Sequence, residues 1–139
     1  MTPPLFDVQC GFGGANPGQK VLLTAQDCLA EMDRLKIDRA LVRTAPEDMD
    51  RDAIRSNEQL FDACRDEPRL VPCPVLFPSE ADDLPPEHEQ VATFIDAGAR
   101  AVWLRPTHDL WSPAAWACGA LMAALAERRM PAFLSLIHI

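Results

Sequence analysis

Several features that mark common classes of protein are missing from this sequence. No run approaches the roughly 18 to 20 apolar residues that a bilayer-spanning helix requires, and the first ten residues lack the basic start of a secretory signal. Acidic residues outnumber basic ones, 21 to 13, for a net charge of −8, and no basic patch stands out. We therefore expect a cytoplasmic protein with neither a membrane nor a nucleic acid as its partner.

Paired cysteines are missing as well. The five cysteines are scattered and never occur as Cys-x-x-Cys, which excludes a zinc knuckle and a dithiol redox motif. We predict that they are small apolar residues of a reducing compartment: Cys10, Cys28, Cys64, Cys73 and Cys118. The three histidines take part in no Ser/His/Asp or Cys/His arrangement that would predict nucleophilic catalysis.

The residues that are present predict one α/β domain. The chain has 139 residues, 48% of them apolar, which is enough for a real core. Apolar runs begin near residues 5, 40, 70, 100 and 132, a spacing of roughly 30 residues, which is the size of one βα unit. Because the runs are continuous rather than alternating, they predict parallel strands covered on both faces. Five such units fit a doubly wound sheet or the first part of a (β/α)₈ barrel, which needs roughly 250 residues.

The first strand is predicted at Leu5–Val8, as a buried strand that runs into the glycine-rich stretch Gly11–Gly18. That stretch matches neither a dinucleotide-binding fingerprint nor a Walker loop, so we expect a flexible loop over the barrel mouth. The third strand is predicted at Leu70–Phe77 and is expected to be irregular, because its two internal prolines each remove a backbone donor.

Two helices are predicted in the first half of the chain. Thr24 followed by Asp27 resembles a capping box, and Lys36 closes that helix. The second helix is predicted from about Asp50 to Asp66. Helical spacing places the following residues on the two inner faces: Cys28, Leu29, Met32 and Leu35, then Ile54, Asn57, Leu60, Phe61 and Cys64.

Two more helices are predicted in the second half. One runs from about Glu87 to Ala97 and ends at Gly98, and the other begins at Ser112 and Pro113. The residues expected to face inward from the last helix are Trp116, Ala120, Leu121 and Ala124.

Four segments taken in order resemble the amidohydrolase-related family, the metal-dependent TIM-barrel hydrolases that also include decarboxylases. The segments are Leu29–Val42, Pro68–Leu76, Asp96–Pro106 and Ala124–Leu134. The resemblance implies an α/β fold in which this chain is a partial (β/α)₈ barrel, with four βα units, a fifth strand and the parallel order 1-2-3-4-5. It also implies hydrolysis of a carbon–nitrogen or ester bond of a small-molecule substrate, or a related decarboxylation.

The same resemblance implies a His-x-His pair of metal ligands at the end of the first strand. Those positions correspond to Gln9 and Gly11, and glycine has no side chain with which to bind a metal. We therefore expect no metal in this segment, with zinc or manganese possible in the full-length protein. An N-terminal barrel fragment of this kind is expected to be inactive by itself.

The candidate site residues follow the predicted strands, where barrel enzymes collect their catalytic groups. His108 is the acid–base candidate. Gln9, Arg43 and Arg105 are the substrate-binding candidates, since a guanidinium can hold a carboxylate. The alternative function is a non-catalytic barrel that binds a small carboxylate through Arg105 and its neighbours.

The tail Leu134–Ile139 is expected to be non-native, because it matches the translation of a transposon-end adapter used in DNA library preparation. The competing interpretation is an ordinary apolar fifth strand. His138, within this tail, is therefore not assigned a role. Residues 1–139 are expected to be the N-terminal part of one barrel domain, the alternative being a self-standing open sheet.

Overall fold

The computed structural model describes residues 2–14, 22, 24–46, 48, 52–79 and 84–135. The chain divides into two units, Met1–Cys73 and Pro74–Ile139. Strands and helices alternate in both, and every strand pair within the described part of the chain is parallel. Within these ranges, no helix combines the length and the apolar character that crossing a membrane would need.

The first unit is a three-stranded sheet with helices in its connections. β1 (Phe6–Phe12), β2 (Arg39–Thr44) and β3 (Leu70–Pro72) lie in the order β1-β2-β3, and the connections hold α1 (Ala25–Leu35) and α2 (Ala53–Cys64). The core between strands and helices consists of Phe12, Cys28, Met32, Ala40, Val42, Leu60, Cys64 and Leu70.

β1 corrects the prediction of a buried strand over Leu5–Val8. The strand extends to Phe12, and the side chains predicted as buried are about half exposed, 48% for Leu5 and 55% for Val8. β1 lies at the end of its sheet with β2 as its neighbour. It contributes to the core only through Cys10 and Phe12, near its carboxyl end.

The capping box of α1 is confirmed. The Asp27 N–H donates to Thr24 Oγ1 at 3.2 Å, and the Thr24 N–H donates to Asp27 Oδ2 at 3.0 Å. Lys36 ends the helix in the left-handed region, at φ 58°. Cys28 is buried as predicted, but Leu35 is 47% exposed. The apolar residues of α1 cover a wider part of the helix surface than the part that packs on the sheet.

Replacing Thr24 with alanine tests this cap. We expect the free energy of unfolding to fall by about 1 kcal/mol, since the Asp27 N–H loses its acceptor, Thr24 Oγ1. Thr93→Ala is the matched control, because Thr93 is exposed in the interior of a helix. Urea unfolding measures both variants, and equal stabilities for the two would contradict the capping role.

α2 starts with Asp52 as its N-cap, whose Oδ1 accepts the Arg55 N–H at 3.0 Å. The predicted start at Asp50 lies outside the described residues. The predicted inner face is right for Asn57, Leu60 and Cys64 but wrong for Ile54, which is 51% exposed. The buried positions of this helix are Ser56, Asn57, Leu60 and Cys64, so two polar residues occupy part of the face that hydrophobicity alone would assign to apolar ones.

The second unit contains α3 (Glu87–Asp96), β4 (Val102–Leu104), α4 (Ala115–Glu127) and β5 (Ala132–Leu134), with β4 paired to β5. Val75 forms an isolated parallel bridge to Trp103 in the same unit. The predicted strand Leu70–Phe77 is thus cut short at Pro72, since Pro72 and Pro74 have no N–H to donate. The single five-strand order remains a prediction beyond the two observed orders, β1-β2-β3 and β4-β5.

The helix ends of the second unit divide between a confirmed and a wrong prediction. Gly98 follows α3 with a φ of +102°, as expected of a glycine beyond a helix end. The fourth helix begins later than predicted, because its N-cap is Ala114 and Ser112 Oγ accepts the Ala114 N–H at 3.2 Å.

The buried face of α4 also differs from the predicted one. Trp116 is 84% exposed and Ala120 is exposed, whereas Leu121 and Ala124 are buried as expected. The helix is apolar almost all round, so the pattern of residues carries little information about which stripe is buried. The observed stripe consists of Cys118, Leu121, Ala124 and Leu125.

Candidate functional site

The carboxyl ends of β1, β2 and β3 bring three residues into one row across the sheet. Gly11 is the register partner of Arg43. Val42 pairs with Pro72, and the Cys73 N–H donates to the Val42 carbonyl at 2.8 Å, so Cys73 comes next to Arg43. Since side chains alternate along a strand, this row lies on the sheet face opposite the core residues Phe12 and Val42.

Arg43 lies against Gly11, the position that corresponds to a metal-binding histidine in the resemblance. A Cβ atom added at Gly11 would lie 3.2 Å from the Arg43 carbonyl oxygen and 3.5 Å from Arg43 Cγ. A side chain at position 11 would therefore press on the Arg43 carbonyl oxygen and make an ordinary contact with the Arg43 side chain. Arg43 can approach the strand this closely at position 11 because Gly11 has no side chain.

The row is electrostatically unusual for a metal site. Burial raises the pKa of the Cys73 thiol to about 12, although the nearby Arg43 guanidinium acts to lower it. Burial lowers the pKa of Arg43 itself, but an arginine stays protonated in a protein. The row thus presents a fixed cation and a neutral thiol, which suits an anionic group better than a second cation.

Gln9 lies in an irregular part of β1. The register shifts between Asp7 and Cys10, and the Gln9 N–H donates to Asp7 Oδ1 at 2.9 Å. Gln9 is exposed. The structure therefore places this predicted substrate-binding residue in a bulge at the sheet edge, beside the row but outside its register.

The start of the glycine-rich stretch holds a carboxylate of the chain itself. The Gly14 N–H donates to Asp48 Oδ2 at 3.0 Å. Gly13 has a φ of +99°, and a Cβ added there would lie 2.4 Å from the same oxygen. Of the flexible loop predicted over Gly11–Gly18, Gly11 and Phe12 belong instead to β1, and residues 15–18 lie outside the described residues. The backbone donor of Gly14 is thus used by Asp48, in agreement with the absence of a phosphate-binding motif.

A second polar group follows β4 in the other unit. Arg105 and Asp109 form an ion pair with 3.1 Å between Arg105 Nη2 and Asp109 Oδ1, and their side chains are only 2% and 7% exposed. The Arg105 guanidinium carbon lies 5.9 Å from the centre of the Trp103 ring. Arg105 thus lies in a packed loop rather than at an open surface.

The loop backbone supports this pair. The Asp109 N–H donates to the Arg105 carbonyl at 2.8 Å, and the Trp111 N–H donates to the Pro106 carbonyl at 3.0 Å. His108 is exposed in this loop. Trp103 and Trp111 are 8% exposed, so they pack in the interior of this unit. The structure brings Arg105 and His108 onto one loop, and it places Arg43 and Gln9 in the first unit.

Sequence reasoning missed one pair of reactive groups. Cys10 Sγ and Cys28 Sγ lie 3.8 Å apart, and Cys28 Sγ is also 3.7 Å from the Gly11 carbonyl oxygen. Eighteen residues separate the two cysteines along the chain, so no spacing motif connects them. Only the packing of α1 on the end of β1 brings them together.

The described residues do not fit the metal that the resemblance implies. Among the ranges that the structure describes, no three His, Cys, Asp or Glu side chains group closely enough to hold a metal ion. Gln9 is displaced by the bulge, Gly11 has no side-chain ligand, and Arg43 places a positive charge next to Gly11. A divalent cation at this position would face repulsion and would find poor ligands.

Comparison with known proteins shows the fold. No protein-family model and no curated protein matches the sequence. Among solved structures, a probable 2-pyrone-4,6-dicarboxylic acid hydrolase from Acinetobacter baumannii, with citric acid bound, aligns with a TM-score of 0.64 at 13% identity. An amidohydrolase II aligns with a TM-score of 0.68 at 17% identity. An amidohydrolase from Mycobacterium avium subsp. paratuberculosis K-10 aligns with a TM-score of 0.58 at 20% identity.

These alignments include nearly the whole of this chain but only part of each relative. They cover 95%, 94% and 89% of this chain, against 49%, 49% and 40% of the other chains. The chain therefore spans about half the length, or less, of the structures it resembles. At these identities the likeness establishes a shared arrangement of parallel βα units, the architecture of amidohydrolase structures.

Proposed function

We propose that this chain is the N-terminal half of an amidohydrolase-type barrel whose intact form hydrolyses a carbon–nitrogen or ester bond of a small molecule, or carries out a related decarboxylation. The observation that carries the proposal is the alignment of almost the entire chain with structures described as amidohydrolases. The parallel strands within each unit support it, because catalytic groups of barrel enzymes collect at the carboxyl ends of parallel strands.

Exposed apolar residues at both ends of the chain support the larger barrel. β1 exposes Phe6 at 51% and Val8 at 55%, and β5 exposes Phe133 at 40% and Leu134 at 50%. Unpaired strand edges with apolar side chains are normally covered by further strands or helices. Further βα units added beyond β5 and beside β1 would supply that cover.

The substrate class that we propose is a small carboxylate, and the residue that we propose to bind it is Arg43. A guanidinium at the carboxyl end of a strand can hold a carboxylate through two parallel hydrogen bonds. Arg43 is half-buried beside Gly11, so an anion there would be attracted more strongly than at a fully exposed arginine. The Acinetobacter baumannii structure holds citric acid, which is a carboxylate.

His108 is proposed as the acid–base group. It lies on the loop that the Arg105–Asp109 pair holds together, and it is exposed. An imidazole side chain can accept or donate a proton at physiological pH. In this proposal Arg105 positions the loop through Asp109, and no step passes through a metal bound by this chain.

The second candidate function is a non-catalytic barrel that binds a small carboxylate. The observation that favours it is the replacement of the expected imidazoles by Gln9 and Gly11. The ion pair between Arg105 and Asp109 makes Arg105 a weaker candidate for that ligand than Arg43, because its charge already faces a carboxylate of the chain.

Arg43→Gln tests the proposal on the intact protein. We expect citrate, used as the probe, to bind 10- to 100-fold more weakly, since a charge-assisted hydrogen bond contributes about 1.5 to 3 kcal/mol. Calorimetric titration measures the affinity. Arg55→Gln is the matched control, because Arg55 is exposed on α2 and should leave binding unchanged.

Activity and metal content distinguish the two functions. Turnover of a panel of carboxylate-bearing amides, esters and lactones, lost in Arg43→Gln and reduced in His108→Asn, would support the hydrolase. A metal-free protein that binds citrate through Arg43 and turns over none of the panel would support the binder. Unchanged citrate binding in Arg43→Gln would contradict both forms of the proposal.

A further inference from the structure

The pair formed by Cys10 and Cys28 is built for contact between two sulfur atoms. Cys10 belongs to β1 and Cys28 to the first turn of α1, with 3.8 Å between the Sγ atoms. A disulfide needs a separation of about 2.0 Å, so a movement of less than 2 Å would bring the sulfurs to bonding distance.

The two thiols differ in access. Cys28 is completely buried, whereas Cys10 is partly exposed. A reagent from solution can therefore reach Cys10 but has no direct path to Cys28. The arrangement separates the attacked sulfur from the sulfur that completes the reaction, as in redox-sensitive pairs with a resolving cysteine.

The pKa directions of the two thiols also indicate that Cys10 is the attacked thiol and Cys28 the one that completes the reaction. The hydrogen bond between the two thiols lowers the pKa of Cys10, with further lowering by the Gly11 backbone and Arg43, against the opposing effects of burial and Asp7. The hydrogen bond with Cys10 and burial both raise the pKa of Cys28. The thiolate of the pair is therefore carried by Cys10, and the thiolate is the reactive form of a cysteine.

We infer that Cys10 and Cys28 form a reversible disulfide, with a small-molecule disulfide such as oxidised glutathione as the oxidant. The Cys10 thiolate attacks one glutathione sulfur, which forms a mixed disulfide and releases a glutathione thiolate. The sulfur of Cys28 then attacks Cys10 Sγ while its proton passes to the leaving glutathione sulfur, so that the second glutathione departs as a thiol. One disulfide is thereby reduced to two thiols, and two protein thiols are oxidised to one disulfide.

The bond would tie the carboxyl end of β1 to the start of α1. Cys10 lies between Gln9 and Gly11 in the chain, so the cross-link would fix the backbone that lies beside Arg43. This modification site goes beyond the proposed function and does not depend on it, because the pair exists whether or not the row binds a carboxylate.

Disulfide mapping of the native chain tests the inference. The reduced protein is incubated with oxidised glutathione, its remaining thiols are alkylated, and it is digested with trypsin, which cleaves after Lys20 and Arg34 and so separates Cys10 from Cys28. We expect a cross-linked peptide pair containing these two cysteines as the dominant product. Free thiols should fall from five to three.

Three comparisons make the result decisive. In urea the selectivity for this pair should disappear, because the packing of α1 on β1 is lost. Cys28→Ser should stop at the glutathione adduct on Cys10. Cys64→Ser should still form the bond, because the sulfur that lies 3.8 Å from Cys10 Sγ is that of Cys28. A dominant bond from Cys28 to Cys64, or a stable adduct on Cys10 in the unaltered chain, would overturn the inference.

Discussion

Replacing Asp109 with alanine is expected to lower the free energy of unfolding by about 3 to 5 kcal/mol, because it leaves the charge of a buried arginine without its carboxylate. Arg105 is 2% exposed and the Asp109 side chain 7% exposed, with 3.1 Å between the paired atoms. Urea unfolding followed by tryptophan fluorescence measures the loss, since Trp103 and Trp111 flank the pair in the sequence and are buried.

A double-mutant cycle separates the pair from simple loss of packing. Arg105→Met and Asp109→Leu should each be strongly destabilising, whereas the double variant should lose less than the sum of the two, because no buried charge remains uncompensated. Asp62→Ala is the control, since it removes an exposed ion pair: the Asp62 side chain is 68% exposed and that of its partner Arg65 is 69% exposed. That control should cost no more than about 1 kcal/mol. If the free energy of unfolding fell no further in Asp109→Ala than in Asp62→Ala, the result would contradict the structural role of the buried pair.

Gly13→Ala is expected to lower the free energy of unfolding by about 2 to 4 kcal/mol, from backbone strain and a lost hydrogen bond. The residue has a φ of +99°, which side chains other than hydrogen rarely adopt. The new Cβ would lie 2.4 Å from Asp48 Oδ2. The Asp48 carboxylate would have to move, and its hydrogen bond from the Gly14 N–H at 3.0 Å would be lost.

Gly119 provides the opposite result for the same substitution. It lies in α4, and a Cβ added there meets nothing within 4 Å. Gly119→Ala should therefore raise the free energy of unfolding by about 0.5 to 1 kcal/mol, because alanine loses less backbone entropy in a helix. If both variants were destabilised equally in urea unfolding, the contact between Gly13 and Asp48 would not explain the loss.

Local signals in the sequence predicted local structure well. The capping box at Thr24 and the glycine at position 98 were both confirmed, because a cap depends on residues three or four positions apart. Burial was predicted less well. Ile54 and Trp116 were expected inside and are exposed, since an apolar residue is free to lie at the surface when its helix packs by another stripe.

The same difference between local and tertiary features holds for the candidate site. The sequence located Arg43 and Arg105 after strands, but it could not distinguish an arginine beside a glycine from an arginine paired with a carboxylate. The sequence predicted that Cys10 and Cys28 are small apolar residues with no connection to each other, although their sulfurs lie 3.8 Å apart. In both cases the partner comes from another element, and its identity depends on strand register and helix packing.

By itself the sequence determined that this protein is built from parallel strands alternating with helices, because continuous apolar runs about 30 residues apart leave few other ways to bury a core. Tertiary structure alone decided that Arg43 lies against Gly11, that Asp109 neutralises Arg105, and that Cys28 faces Cys10. The spacing of residues along the chain specifies helices and strands. Which charged groups and thiols come into contact depends on how those helices and strands pack.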